Sequence, residues 1–297
     1  CLRSMSSSIN FKNILVVGIG LIGGSIIRAL KESSFSGRVY GIDRDNGVLT
    51  SAYDLGFIQN KDRKIPKDLD DLLVIFSVPV LSIQEAIYQI NNAIKTENVI
   101  YTDTLSVKSS VLNTLRASDK NVLKRFVLSH PIAGSEQSGF EASSAILFKE
   151  KLSIICPHED NSEYDVSKVE GFWKALGSYT KKLSADDHDE LFGKTSHMPH
   201  VIAYALMDSL YQDLGEKTFF YSGGSLEGYT RIASSDPVMW KDIMISNDKF
   251  ILSSIGSFKR SLEELSELIE TNNINGLIEF FSAVKETRDK AISGKED

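Results

Sequence analysis

The chain has 297 residues and a mass of 32.9 kDa, with 42% hydrophobic and 25% charged residues, the make-up of a folded globular protein, which excludes disordered, collagen-like and coiled-coil classes. That length exceeds what one core ordinarily fills, so two domains are expected. With 33 basic against 40 acidic residues, a net of −7, no global field would gather a polyanion, and nucleic acid is excluded as an expected partner.

The first ten residues, CLRSMSSSIN, lack the charged start and apolar core of a signal peptide, and the four ahead of Met5 read as a remnant or truncation. The longest apolar run, Ile14 to Ile27, is broken by Gly18, Gly20, Gly23, Gly24 and Ser25, so no membrane span is expected. Cys1 and Cys156 belong to no CxxC pair or Cys/His cluster, which predicts a reducing, cytoplasmic setting.

Short β-branched runs at 13–18, 38–43, 71–78, 98–103, 125–130 and 151–157 read as strands. Between them, Leu21–Ser34, Leu81–Ile94 and Val107–Ser118 carry apolar residues at three- and four-residue spacing and read as helices. This alternation predicts a doubly wound parallel sheet. After a charged stretch at 158–165 come a helix at Val166–Leu176 and a short strand at Tyr179–Ser184; from there 187–213, 236–270 and 274–292 read as helices. The expected fold is therefore α/β, a Rossmann-type domain over 11–183 followed by an all-helical domain over 184–297.

The first strand runs into Gly18-Ile19-Gly20-Leu21-Ile22-Gly23 and then a helix. In such a turn the glycines serve a tight bend, close approach of a pyrophosphate, and close packing of helix on strand, while free N–H groups at the helix start bind phosphate. Asp43 stands 20 residues past Gly23, at the end of the next strand, where a carboxylate would accept the ribose hydroxyls. The expected cofactor is NAD; Arg44 next door leaves NADP possible. Ligands of open α/β sheets sit beyond the C-terminal strand ends, which here carry Ser77-Val78-Pro79, the 102–108 loop with Ser106 and Lys108, and His130-Pro131. His130 could remove a hydroxyl proton while a hydride leaves the same carbon, or could merely bond the turn before Pro131. Arg231 offers a planar fork for a carboxylate, with a surface pair or a cap on the following Ser-Asp-Pro turn as the alternative. His188, His197 and His200 have no recognised zinc spacing, and no metal is expected.

Five stretches, VVGIGLIGGS (16–25), TDTLSVKSSV (102–111), HPIAGSEQSGFEA (130–142), HDELFGKTSHMPHVIAYAL (188–206) and YTRIASSDPVMWKDI (229–243), together resemble the prephenate/arogenate dehydrogenase family of tyrosine biosynthesis. The resemblance implies an NAD(P)-binding domain, a helical domain through which two chains form a homodimer, and oxidative decarboxylation of prephenate to 4-hydroxyphenylpyruvate. It implies that His130 is the catalytic histidine, that Ser106 helps orient it, and that Arg231 binds a substrate carboxylate. His188, His200, Ser196, Glu136, Gly224 and Trp240 fall where the family lines or gates its pocket. The nucleotide contacts implied are Gly18, Gly20, Leu21, Ile22, Gly23, Asp43, Arg44, Ser77 and Pro79.

Two departures bear on specificity. Leu105 stands where a glycine is expected in the loop carrying Ser106, and Glu227-Gly228 stand where relatives carry a basic residue. An acidic group there would suit the ammonium of arogenate. The stretch after residue 292 is too short for the regulatory domain some members append, so inhibition by tyrosine is expected at the active site. A β-hydroxyacid dehydrogenase would need a catalytic lysine in the helical half, where none has a suggestive setting. A non-catalytic NAD sensor would have no use for the histidine, serine and arginine.

Overall fold

The computed structural model describes residues 9–33, 35–134 and 137–293. The expected strands form one sheet: β1 (Asn13–Val17), β2 (Arg38–Ile42), β3 (Leu72–Phe76), β4 (Val99–Asp103), β5 (Phe126–Pro131), β6 (Leu152–Cys156) and β7 (Tyr179–Lys182), in the order β2-β1-β3-β4-β5-β6-β7. The first five run parallel; β6 is antiparallel to β5, and β7 parallel to β6. β1, β3 and β4 are buried along their whole length, because helices cover both faces. Alternation sends Leu15, Val17, Val74, Phe76, Tyr101 and Phe126 into one core, and Ile14, Val16, Leu73, Ile75, Ile100 and Val127 into the other. In the first core the rings of Phe76, Tyr101 and Phe126 stack, with centroids 5.7–6.4 Å apart.

The helices of this half are α1 (Leu21–Glu32), α2 (Asn46–Asp54), α3 (Ile83–Ala93), α4 (Ser109–Arg116), α5 (Lys120–Arg125) and α6 (Glu163–Ala175). α2 and α5 were not expected from periodicity. Each is short and opens on an aspartate, Asp45 or Asp119, whose carboxylate caps the first turn.

After β7 the chain is helical: α7 (Ala185–Phe192), α8 (Met198–Leu214), α9 (Gly224–Thr230), α10 (Pro237–Ser246), α11 (Asp248–Glu270) and α12 (Ile274–Ser293). Ser184, expected to end β7, caps α7 by accepting the Asp187 N–H. The helix expected over 187–213 is interrupted by a wide turn at Gly193–His197 with π-type bonding. Pro199 lacks the N–H for the Thr195 carbonyl and crowds it, and a widened turn relieves that conflict. The segment expected as one helix over 236–270 breaks at Asn247.

The chain divides into two compact units, Cys1–Asp248 and Lys249–Asp297. The second holds α11 and α12, joined by a tight turn in which Asn272 takes φ 51° and the Asn273 side chain caps α12. No helix among the described residues is long and apolar enough to cross a membrane.

Candidate functional site

The glycine turn occupies the end of β1. Gly18 has φ +90°, and a Cβ there would lie 2.4 Å from the Ser77 carbonyl oxygen; at Gly23 it would meet the Gly18 carbonyl at 1.9 Å. Those two glycines are needed for packing. At Gly20 a Cβ would meet nothing within 4 Å, so the turn is open there, at the N-terminus of α1. Gly20, Leu21, Ile22, Ser77 and Pro79 all line one cavity of about 450 Å³. Asp43 closes the loop from behind, accepting the Ile19 N–H at 2.6 Å and the Asp45 N–H at 2.8 Å. Arg44 reaches Ser82 at 3.3 Å, and its carbonyl accepts from the Arg63 guanidinium, a neighbour that sequence reasoning did not single out. These residues fit a dinucleotide: an open helix N-terminus for its phosphates and an acid at the end of β2.

A second cavity of about 440 Å³ adjoins the first, and Ser106, His130, Pro131, Ala133, Gly134, Met239 and Ile243 belong to the walls of both. Ser196 and Trp240 line the second cavity, together with Phe192, Thr195 and His197, which sequence reasoning did not place in a pocket. His188, expected on the wall, is instead wholly buried behind His130, its Nε2 2.8 Å from His130 Nδ1. The contact that orients His130 thus comes from α7, whereas Ser106 shares its cavity walls. His200 stacks on Trp240 with ring centroids 3.7 Å apart, and Nδ1 lies 2.9 Å from the Ser196 carbonyl. Arg231 and Gly224 are exposed and lie on the wall of neither cavity; the Arg231 charge nonetheless helps lower the pKa of His200, after burial. Glu136 lies outside the described residues. The three histidines of the helical half have different hydrogen-bond partners, His188 bonding His130 and Asp189, His197 bonding Asn247 and His200 the Ser196 carbonyl, although His197 and His200 both pack on Trp240.

Proton positions in the buried relay follow from its far end. Asp189 accepts the main-chain N–H of Lys108 on Oδ1 and that of Ser109 on Oδ2, both at 2.8 Å, and His188 Nδ1 sits 2.8 Å from Oδ1. Burial raises the pKa of this carboxyl against the pull of the two amides; because main-chain N–H groups, which can only donate, face both oxygens, it serves as an ionised acceptor. His188 therefore carries its proton on Nδ1 and offers a lone pair at Nε2. His130 must then donate from Nδ1, which leaves Nε2 as a free base. Burial first, then His188, Lys108 and His197, hold His130 well below the usual histidine pKa, so it is neutral at pH 7. A base-requiring step should therefore run at a constant kcat/KM from pH 8 down past about 6.5, the ordinary histidine value, and fall only in more acidic buffer. An acid limb centred on 6.5 or above, in a profile of initial rates, would remove His130 as that base.

Beneath the relay lies a buried ion pair. Lys108 Nζ contacts Asp103 Oδ2 and donates to the Ser129 carbonyl at 2.7 Å, and both side chains of the pair are fully buried. Asp103 also accepts the N–H groups of Ser129 and Leu105. Leu105, the departure from the expected glycine, packs in the core and contributes an apolar wall to the first cavity.

Residues 26–181 match the family model of the prephenate dehydrogenase nucleotide-binding domain, and 184–283 that of the prephenate dehydrogenase dimerization domain. The chain is 33% identical to a cyclohexadienyl dehydrogenase of Zymomonas mobilis over 94% of its length and 95% of that protein's. It is 29% identical to a prephenate dehydrogenase of Bacillus subtilis over 93% of its length and 75% of that protein's. Among solved structures, the prephenate dehydrogenase of Aquifex aeolicus in complex with hydroxyphenyl propionate and NAD+ superposes with a TM-score of 0.87 at 34% identity, covering 95% of this chain and 99% of the other.

Proposed function

The chain belongs to the prephenate dehydrogenase family, and from that premise we propose that it oxidatively decarboxylates prephenate to 4-hydroxyphenylpyruvate with NAD as the cofactor. One observation carries the reading: the free Nε2 base of His130 stands at the seam between a cavity that begins at the glycine turn and a second, adjoining one. NAD+ supplies the hydride acceptor, and the residues that would hold it are Gly18, Gly20, Leu21, Ile22, Gly23, Asp43, Arg44, Ser77 and Pro79. The chain's own part is to draw the proton from the ring hydroxyl onto His130 Nε2. The positive charge that develops there is stabilised by His188 Nε2 and, through it, by the Asp189 carboxylate. Loss of the ring carboxylate follows readily because the ring becomes aromatic. Val78, Leu105, Met239 and Ile243 give the first cavity an apolar wall.

The functional division is proposed at 183/184, where the sheet ends, with nucleotide binding before it and a homodimer formed through the part after it. The Cys156 thiol is free and buried, which suits a cytoplasmic setting. Tyrosine, which shares the product's ring, should inhibit in competition with prephenate; inhibition that stays non-competitive would refute that.

Arg231 is assigned to a substrate carboxylate, and Arg231→Ala should raise KM for prephenate about 10- to 100-fold, the worth of one charge-assisted hydrogen bond, with a smaller change in kcat. Steady-state kinetics decide it, and an unchanged KM would move Arg231 out of the site. The reaction itself is tested by NADH formation with prephenate or arogenate and NAD or NADP. Turnover of prephenate with NAD supports the proposal, and preference for arogenate would point to Glu227 or Glu136 as the ammonium partner. Silence in every combination would sink it.

A further inference from the structure

The relay leaves one histidine of the second cavity without a role. His197 sits in its wall beside Ser196 and Trp240, almost fully buried. Its Nδ1 faces the side-chain nitrogen of Asn247 at 3.0 Å, and that same nitrogen lies 2.9 Å from the Asp189 main-chain carbonyl. A carbonyl oxygen can only accept, so the NH2 end of the amide faces it, and the second amide hydrogen is left for His197 Nδ1. Nδ1 is thus the lone-pair nitrogen, and the single ring proton resides on Nε2, on the side away from Asn247. Burial keeps this imidazole neutral, its pKa lowered to about 4.

Nε2 has no hydrogen-bond partner among the described residues. The same is true of a second N–H on this wall, the buried Nε1 of Trp240, whose ring meets that of His197 edge-on at a centroid distance of 6.0 Å. A buried donor without an acceptor, as Trp240 Nε1 is, is rare in folded proteins, and with the unpartnered Nε2–H of His197 on the same cavity wall it marks where a ligand's acceptor belongs. Both donors are uncharged. His200, stacked against the other face of this cluster, has the opposite polarity: its Nδ1–H goes to the Ser196 carbonyl, so in its neutral form Nε2 accepts.

We propose that His197, fixed in its Nε2–H form by Asn247, contacts the substrate and, with Trp240 Nε1–H, holds the ring carboxylate that leaves as carbon dioxide. This rests on the reaction proposed above and leaves Arg231 for the side-chain carboxylate. Neutral donors suit that group for a physical reason. The carboxylate must give up its negative charge to the ring as the C–C bond breaks, and a cation bound to it would stabilise the starting state more than the transition state. Neutral N–H groups position it with less of that penalty.

The test compares two ligands that differ in the ring carboxylate. Prephenate has it; 4-hydroxyphenylpropionate has the ring oxygen and the side-chain carboxylate but lacks it. His197→Leu should weaken prephenate, by KM and by calorimetry, about 10- to 100-fold, the value of a hydrogen bond to a charged group. The inhibition constant of 4-hydroxyphenylpropionate should stay within about twofold. His197→Gln, whose side-chain amide can present N–H at a similar place, should recover most of the loss. Equal weakening of both ligands, or of neither, overturns the assignment. Independently, 15N NMR of the unliganded wild-type protein should show His197 protonated on Nε2, and Asn247→Asp, which can only accept, should move the proton to Nδ1. A wild-type Nδ1–H tautomer would overturn the Asn247 argument whatever the kinetics. Wild-type protein that binds and turns over no prephenate would instead remove the proposed reaction and the carboxylate assignment with it, while the tautomer measurement would still decide the role of Asn247.

Discussion

His130→Asn should lower kcat with prephenate by about 10²- to 10⁴-fold, the range for a positioned acid–base group, while leaving the affinity for NAD within about twofold. The asparagine amide can stand where the imidazole Nδ1 now donates to His188 Nε2, so the buried relay keeps its partner. What the variant lacks is Nε2, the basic nitrogen at the seam of the two cavities. Its loss should appear in kcat and kcat/KM together, because the proton moves only as the hydride leaves. NAD binding, followed by calorimetry or protein fluorescence, depends on the glycine turn and Asp43 and should not respond. Unaltered turnover would take His130 out of the mechanism; a parallel loss of NAD affinity would mean that the substitution had disturbed the turn at Pro131.

Much of this site was legible in the sequence, and for identifiable reasons. The glycine turn could be read because it lies within one contiguous strand, turn and helix, where each glycine has a local steric task. The strands could be read because burial on both faces gives unbroken apolar runs such as Ile14–Val17 and Leu72–Phe76. His130 stood out because the fold class itself directs attention to the ends of the strands. The relay could not be read. His188 and Asp189 are adjacent in sequence, but nothing local says that one faces His130 and the other the main chain of Lys108, 81 residues away. Asn247 was passed over because its side chain spans Asp189 and His197, partners 58 and 50 residues distant. Pro199 was a local signal for the widened turn at Gly193–His197, but its consequence, aiming Ser196 and His197 at one cavity, depends on the packing of α7 and α10.

The other large effect should fall on stability. Lys108→Met should cost about 3–5 kcal/mol of unfolding free energy, because it leaves the Asp103 carboxylate fully buried without its cation. A methionine fills much the same space, so the loss reports the charge. Two further observations sharpen the expectation. Asp103 receives N–H bonds from Ser129 and Leu105, too few to replace an ammonium, and burial already pushes its carboxyl above the ordinary range despite Lys108. Without the lysine the carboxyl must rise further, so the folded state of the variant would hold a proton that the unfolded chain has released. Stability of the variant should then decline as pH increases from the unfolded carboxyl value near 4 toward the raised folded value, and the deficit against wild type should be larger at pH 8 than at pH 5. Urea denaturation at the two pH values measures both quantities. Adding Asp103→Asn should recover part of the loss, since a neutral amide is cheaper to bury, though one amide hydrogen would oppose a main-chain N–H. A deficit under about 1 kcal/mol, or one independent of pH, would mean that water reaches Asp103 once the lysine is gone. In that case the Lys108 bond to the Ser129 carbonyl, next to His130, would be its main contribution, and kcat would fall further than stability.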